Sequence, residues 1–131
     1  QCLRMLLLIY FTNLQLHMVL TQPQDTIMEM AKIGPGITGG NNRQTLTDDD
    51  AKGRELFKKW CESAGLEMGL DTMGNMFARR EGNDPDALPV MVGSHLDTQP
   101  TGGKYDGVLG VLAGLEIIRS LNRSYKDSYL K

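Results

Sequence analysis

Histidine is scarce in this chain: among 131 residues only His17 and His95 carry an imidazole. His95 stands in GSHLDTQPTGGKYDG, residues 93–107, two positions before Asp97 and eleven before Asp106. An imidazole and two carboxylates in a glycine-rich frame suit metal-assisted hydrolysis. One ring nitrogen of His95 can ligate a metal while a carboxylate holds the other N–H, fixing the tautomer and raising basicity. Two positions on in an extended segment, Asp97 lies on the same side and is the candidate partner. Asp106 opens the next helix, where a carboxylate can bridge two ions about 3.5–4 Å apart and activate water between them. An isolated H-x-D is common in solvated loops. The specificity lies in the whole string, G-S-H-L-D-T and then D-G-V-L-G-V.

Those residues need a platform. Val90-Met91-Val92-Gly93 reads as a short strand running into Ser94-His95, and Val108–Leu121 (VLGVLAGLEIIRSL) as a helix apolar nearly all round. Gly110 and Gly114 form a small-x-x-x-small pair, which predicts close packing of that helix onto a sheet. Upstream, DTIMEMAKI (residues 25–33) places Ile27, Met28, Met30 and Ala31 at helical spacing before Gly34-Pro35. GPGITGGNNRQ reads as loop. Its formal G-x-G-x-x-G match, Gly34 to Gly39, lacks the preceding strand and the following helix that a dinucleotide site requires. Thr47 with Asp48, Asp49 and Asp50 marks a helix start, with a catalytic acid cluster as the alternative. That helix carries Leu56, Phe57, Trp60 and Cys61 on its apolar face and ends at Gly65. Leu66–Asp71 and Met76–Arg80 read as a hairpin around 72–75, and EGNDPDALP as surface loop. Helix, helix, hairpin, strand, helix predicts an α/β fold, helices on a mixed sheet, with the active edge at the carboxyl end of strand 90–93.

One ordinary domain is the most this length allows. A formal charge of −2, with no long basic run, gives no electrostatic argument for nucleic acid or an anionic membrane. Cys2 and Cys61 do not make a disulfide framework, and Cys61 is expected as a reduced, partly buried thiol. Met5–Phe11 is an unbroken apolar run, short for a membrane span and followed by no small-x-small cleavage site. Residues 1–23 are expected to be an apolar leader or mistranslated segment outside the fold. Residues 123–131, beginning where the helical pattern stops, are expected to be a foreign tail. A cytoplasmic setting is expected, with a secretory signal as the alternative reading of the amino terminus.

The string GSHLDT…GGKYDGVLGVLAGLEII resembles the metal-binding signature of the dinuclear zinc amidohydrolases of the hydantoinase/carbamoylase group. That group includes N-carbamoyl-L-amino-acid hydrolases, allantoate amidohydrolases and one type of β-ureidopropionase, and is related to zinc carboxypeptidases and aminoacylases. MEMAKIG, NNRQTLTDDD, RELFKKWCESAGLEM and DTMGNMFARREG resemble the group's amino-terminal region in the right order, so the likeness covers roughly residues 24–122. It implies the amino-terminal part of a zinc-peptidase-like catalytic domain. His95 would be the first metal ligand, Asp106 the carboxylate bridging both metals, and Asp97 the residue that orients His95. It also implies two Zn²⁺ per complete site, with Mn²⁺ or Co²⁺ as alternatives.

The departures matter as much. The group's signature continues with a Glu-Glu pair, one a general base and one a ligand, and two further histidines. No acidic pair follows Asn122 and no histidine follows His95. The group's small dimerisation domain, through which its members would form homodimers, is also missing. The resemblance therefore implies a fragment of an amidohydrolase acting on N-carbamoyl amino acids or ureido compounds, silent as this chain alone. The alternatives are a related metallopeptidase or aminoacylase, or a truncated non-catalytic product. No substrate-binding residue is assigned.

Overall fold

The structure, a computed structural model, describes residues 24–84 and 86–128. Cys2, the apolar run Met5–Phe11 and His17 lie outside the described residues, so the expectations for residues 1–23 have no structural counterpart. Three helices and one hairpin follow in chain order: α1 (24–30), α2 (Asp48–Ser63), β1 (Glu67–Leu70), β2 (Met76–Arg79) and α3 (Val108–Ser128).

Apolar burial joins the helices. Ile27 and Met30 of α1, Phe57 and Cys61 of α2, Leu66, and Val108, Leu112 and Leu115 of α3 form one buried cluster. Each helix contributes residues three or four apart, the single stripe that its periodicity predicts. Beside them runs a polar tie. Arg119 pairs with buried Glu116 at 2.6 Å, reaches Thr26 Oγ1 at 3.3 Å and lies 6.0 Å above the Trp60 ring, linking all three helices. Cys61 is free and fully buried, and burial pushes its thiol up to about 11.

The helix ends obey local chemistry. Thr47 caps α2, its hydroxyl accepting the Asp50 N–H at 3.2 Å, and buried Asp50 accepts the Leu46 N–H at 3.1 Å. The three aspartates thus serve the helix start and not an acid cluster. Regular α1 stops at 30, short of the expected 33. Residues 31–33 tighten into i→i+3 bonds (Lys32 N to Glu29 O, Ile33 N to Met30 O) before Gly34 turns the chain with φ +64°. The glycine loop folds back on itself through Gly36 N–H to Gly40 O at 2.9 Å, and no helix opens within it.

β1 and β2 pair antiparallel with Leu70 opposite Met76. Asp71 builds their turn by accepting from Met73 N, Asn75 N and Asn75 Nδ2, and these donors, the Asn75 side chain foremost, hold its carboxyl below the usual range. Arg54 of α2 donates to Gly74 O at 2.7 Å and ties the turn to the helix.

Two expectations need correction. Residues 90–93 are not a strand: among the described residues, no backbone group of 88–95 pairs with another backbone group, so none of them offers a ladder to join. Val90, Met91 and Val92 stand exposed. The mixed sheet is accordingly, among the described residues, one antiparallel pair with isolated bridges at Pro35–Asn41 and Asn41–Gly102. Likewise α3 does not stop at Leu121 but runs on to Ser128. In that added stretch Asn122 donates to Ala64 O at 2.8 Å, which ties it to the end of α2, and Ser124 donates to Ser120 O at 3.1 Å. The Gly110/Gly114 pair does admit close packing, against the extended chain at Ser94 and Val92. No helix among the described residues is long and apolar enough to cross a membrane.

Candidate functional site

His95, Asp97 and Asp106 come together. With Gln44, Thr45, Thr98, Gln99 and Pro100 they line an open cleft of about 360 Å³. His95 and Asp97 leave the carboxyl end of the extended 88–94 segment, and Asp106 immediately precedes α3. Leu96 between them packs against the core. That alternation turns its two neighbours outward, as an extended chain requires.

The imidazole is oriented from two sides. Its Nδ1 lies 3.0 Å from the Asp97 carbonyl oxygen and 3.3 Å from Asp97 Oδ1. Both neighbours are acceptors, so they favour the tautomer with the proton on Nδ1, which leaves Nε2 as the nitrogen free to ligate. Gly107 presses on the other side: with φ +72°, a Cβ there would run into Cε1 and Nδ1 of His95. The glycine after Asp106 therefore crowds the imidazole. Any side chain at 107 displaces the ring.

Below the cleft lies a polar layer that sequence reasoning passed over as loop. Arg43 is fully buried, and its guanidinium spans three carbonyls. Nε and Nη2 both donate to Leu96 O (3.2 and 2.9 Å), while Nη1 donates to Met30 O (3.2 Å) and Ile33 O (2.9 Å). Its backbone exchanges two bonds with Thr98: Arg43 N–H to Thr98 Oγ1 and Thr98 N–H to Arg43 O, each 2.7 Å. Burial lowers the guanidinium from its ordinary value, and Asp50, Asp97 and Asp49 oppose that shift by charge. Asn41, two residues earlier and also buried, donates to Ala31, Ile33 and Gly34 carbonyls and exchanges backbone bonds with Gly102. One signal was available: Arg43 is the only charged residue between Lys32 and Asp48. A lone cation in such a loop needs a reason.

A nitrogen donor at His95 and an oxygen donor at Asp106 suit zinc in kind. Among the described residues, however, no group of three His, Cys, Asp or Glu side chains is placed to hold a metal ion. The two donors fit as members of a larger ligand set, not as a set in themselves.

Comparison with known proteins gives the class first. The fold matches the crystal structure of a hydantoinase/carbamoylase family amidase from Burkholderia ambifaria with a TM-score of 0.78 and 53% identity, over 79% of this chain and 26% of that one. In sequence the chain is 72% identical over 98 residues to the N-carbamoyl-L-amino-acid amidohydrolase of Rhizobium meliloti, covering 75% of this chain and 24% of that protein. It is 38% identical over 101 residues to the ureidoglycolate hydrolase of Arabidopsis thaliana, covering 77% of this chain and 21% of the relative. No protein-family model matches. Sequence and fold alike therefore match a segment of the hydantoinase/carbamoylase amidases. The chain spans about a quarter of the length of the curated relatives it matches.

Proposed function

We propose that this chain carries part of the active site of a metal-dependent amidohydrolase that cleaves linear C–N bonds in N-carbamoyl amino acids or ureido compounds. The observation that carries the reading is the 72% identity over 98 residues. Any 98-residue stretch of a 131-residue chain includes residues 34–98, hence Arg43, His95 and Asp97. An N-carbamoyl amino acid is the favoured substrate, because the relative of that name is far more similar than the ureidoglycolate hydrolase.

In this reading His95 Nε2 and the Asp106 carboxylate are two ligands of a zinc site, with Mn²⁺ or Co²⁺ as alternatives. When bound, the metal would polarise the scissile carbonyl and lower the pKa of water. The residues present hold and orient. Asp97 keeps the proton on Nδ1 and directs Nε2 into the cleft, and Gly107 blocks rotation of the ring. Asp97 does not serve as general base, because its carboxylate and carbonyl oxygens face the imidazole. The Glu-Glu pair and two histidines implied by the family resemblance have no counterpart after Asn122. The second reading, a chain without catalysis of its own, follows for the isolated molecule, since a single zinc site normally draws three protein ligands. The complete protein would act as a homodimer.

A chimera tests both readings: residues 24–122 replace the matching segment of the 72%-identical relative. Ammonia release from N-carbamoyl amino acids should be metal-dependent in the chimera and absent from the 131-residue chain. His95→Ala and Asp106→Ala should each abolish it, while Asp97→Asn should reduce activity or metal affinity roughly 10–100-fold. Full activity of the Asp106→Ala chimera sinks the ligand assignment, and turnover by the chain alone sinks the second reading.

A further inference from the structure

We infer that Arg43 is a positioning residue of the cleft. Anchored on the carboxyl end of α1, its guanidinium holds the Leu96 carbonyl and thereby fixes His95 and Asp97 on the cleft side. The inference rests on the metal-site reading and deepens it by assigning a role to a residue that touches neither metal nor substrate.

The geometry is specific. Leu96 is the one residue between His95 and Asp97, and Arg43 bonds its carbonyl twice, through Nε and Nη2. The fork's other arm grips the Met30 carbonyl, the last of α1, and the Ile33 carbonyl in the turn that follows, adding to the bonds these accept from Ile33 N–H and Asn41 Nδ2. Thr98 is tied to the Arg43 backbone on the far side of Asp97. The segment is thus pinned at 96 and 98, and the side chains at 95 and 97 are left to face the cleft. A planar cation with fixed donors can bridge two separate segments in this way, which the single ammonium of lysine cannot. Gly53 of α2 makes room for it: a Cβ there would lie 2.8 Å from Arg43 Cδ. Burying a cation merely to satisfy carbonyls is costly. A core need alone would be met by an uncharged donor, as Asn41 shows beside it.

The test uses the 131-residue chain, ¹⁵N-labelled and titrated with zinc chloride while amide shifts are followed. In the unaltered chain, weak saturable binding should move amides at 94–98 and 106–107. Arg43→Lys should weaken zinc binding roughly 10-fold or more, the scale for residues that orient a ligand from behind. The 94–98 amides should move even without metal, while α2 and hairpin amides stay in place. A purely structural role would lower the melting temperature without changing the zinc affinity of the folded chain. Unchanged affinity in folded Arg43→Lys therefore overturns the inference. Should that variant not fold, Thr98→Val takes its place: it removes only the hydroxyl acceptor of Arg43 N–H and should show a smaller loss in the same direction, with no loss overturning the inference. Absence of any zinc response at His95 in the unaltered chain overturns the metal-site reading, and this inference with it.

Discussion

The three-helix core and the layer beneath the cleft are held by opposite means. Between α1, α2 and α3 the buried cluster is apolar, with the Thr26–Glu116–Arg119 tie beside it, and each member of that cluster could be exchanged for another of similar volume at modest cost. Under the cleft the buried residues are Asn41, Arg43 and Thr98, joined by directional bonds to named carbonyls and hydroxyls. Non-directional burial tolerates small shifts. A guanidinium on three carbonyls does not, because each donor has one acceptor at one angle. A site that must present an imidazole and two carboxylates in fixed relation is built on the second kind of layer.

The largest expected effect separates the two layers directly. Arg43→Met should cost about 3 kcal/mol, at the upper end of about 1–3 kcal/mol for a carbonyl left without its donor: Leu96 O loses both of its bonds, while Met30 O keeps Ile33 N–H and Ile33 O keeps Asn41 Nδ2. Leu112→Ala, at a fully buried position of α3, should cost about 3 kcal/mol, within the range for large-to-small core changes. Urea unfolding measures both. Hydrogen exchange should show the Arg43 loss concentrated at Thr98 and its neighbours and the Leu112 loss spread over the helices. Equal spreading in both variants would break the distinction between layers.

The same contrast explains what was readable in advance. Helices 2 and 3 and the hairpin follow from short-range patterns: Thr47 with three aspartates, apolar spacing at Phe57 and Cys61, and the Asp71–Asn75 turn. The cluster His95, Asp97, Asp106 was legible because unusual residue types sit close in sequence. Arg43 was not, because its meaning depends on Leu96, 53 positions away, and on the end of α1. Composition marks such a residue as odd but cannot say what it grips. The strand expected at 90–93 failed for a related reason. Val90, Met91 and Val92 have strand propensity, but a strand exists only where a neighbour supplies the ladder, and none of the described residues does so. The stretch beyond Leu121 misled in the other direction: its apolar period ends there, but a helix already formed carries on past it, and Asn122 ties that end to Ala64 O, 58 positions away.

A smaller effect belongs to the apolar layer alone. Burial pushes the Cys61 thiol up to about 11 from an ordinary 9.0, against a lesser opposing pull from Arg119. Between those pH values the unfolded chain releases the proton and the folded chain keeps it, so the unfolded state binds fewer protons and stability falls as pH rises. The contribution is intact below pH 9 and is lost on passing through about 11. The ceiling is about 2–3 kcal/mol at about 1.4 kcal/mol per unit. Melting temperatures under reducing conditions from pH 8 to 11 should decline more steeply in the unaltered chain than in Cys61→Ala, whose midpoint starts lower. Parallel slopes would remove Cys61 as the cause.

The smallest expected effect falls on Thr47, which serves both layers. Its hydroxyl accepts from Asp50 N–H and so caps a core helix, and it donates to Gln44 O at 2.6 Å, beside the cleft wall at Gln44 and Thr45. Thr47→Ala removes both bonds and should cost about 1 kcal/mol, the usual worth of such a cap. Thr47→Ser keeps both and should restore nearly all of it. The backbone gives a reason to expect more than a simple cap. Leu46, immediately before it, holds φ +67° with its side chain in solvent, a conformation that a leucine keeps only when its surroundings enforce it. Its N–H bond to Asp50 is one restraint and the Thr47–Gln44 bond is another. If the second matters, Thr47→Ala should shift the amides of Gln44 and Thr45 as well as those of the first turn of α2. Shifts confined to the α2 turn would assign Thr47 to the helical core alone and draw the boundary of the cleft layer at Gln44.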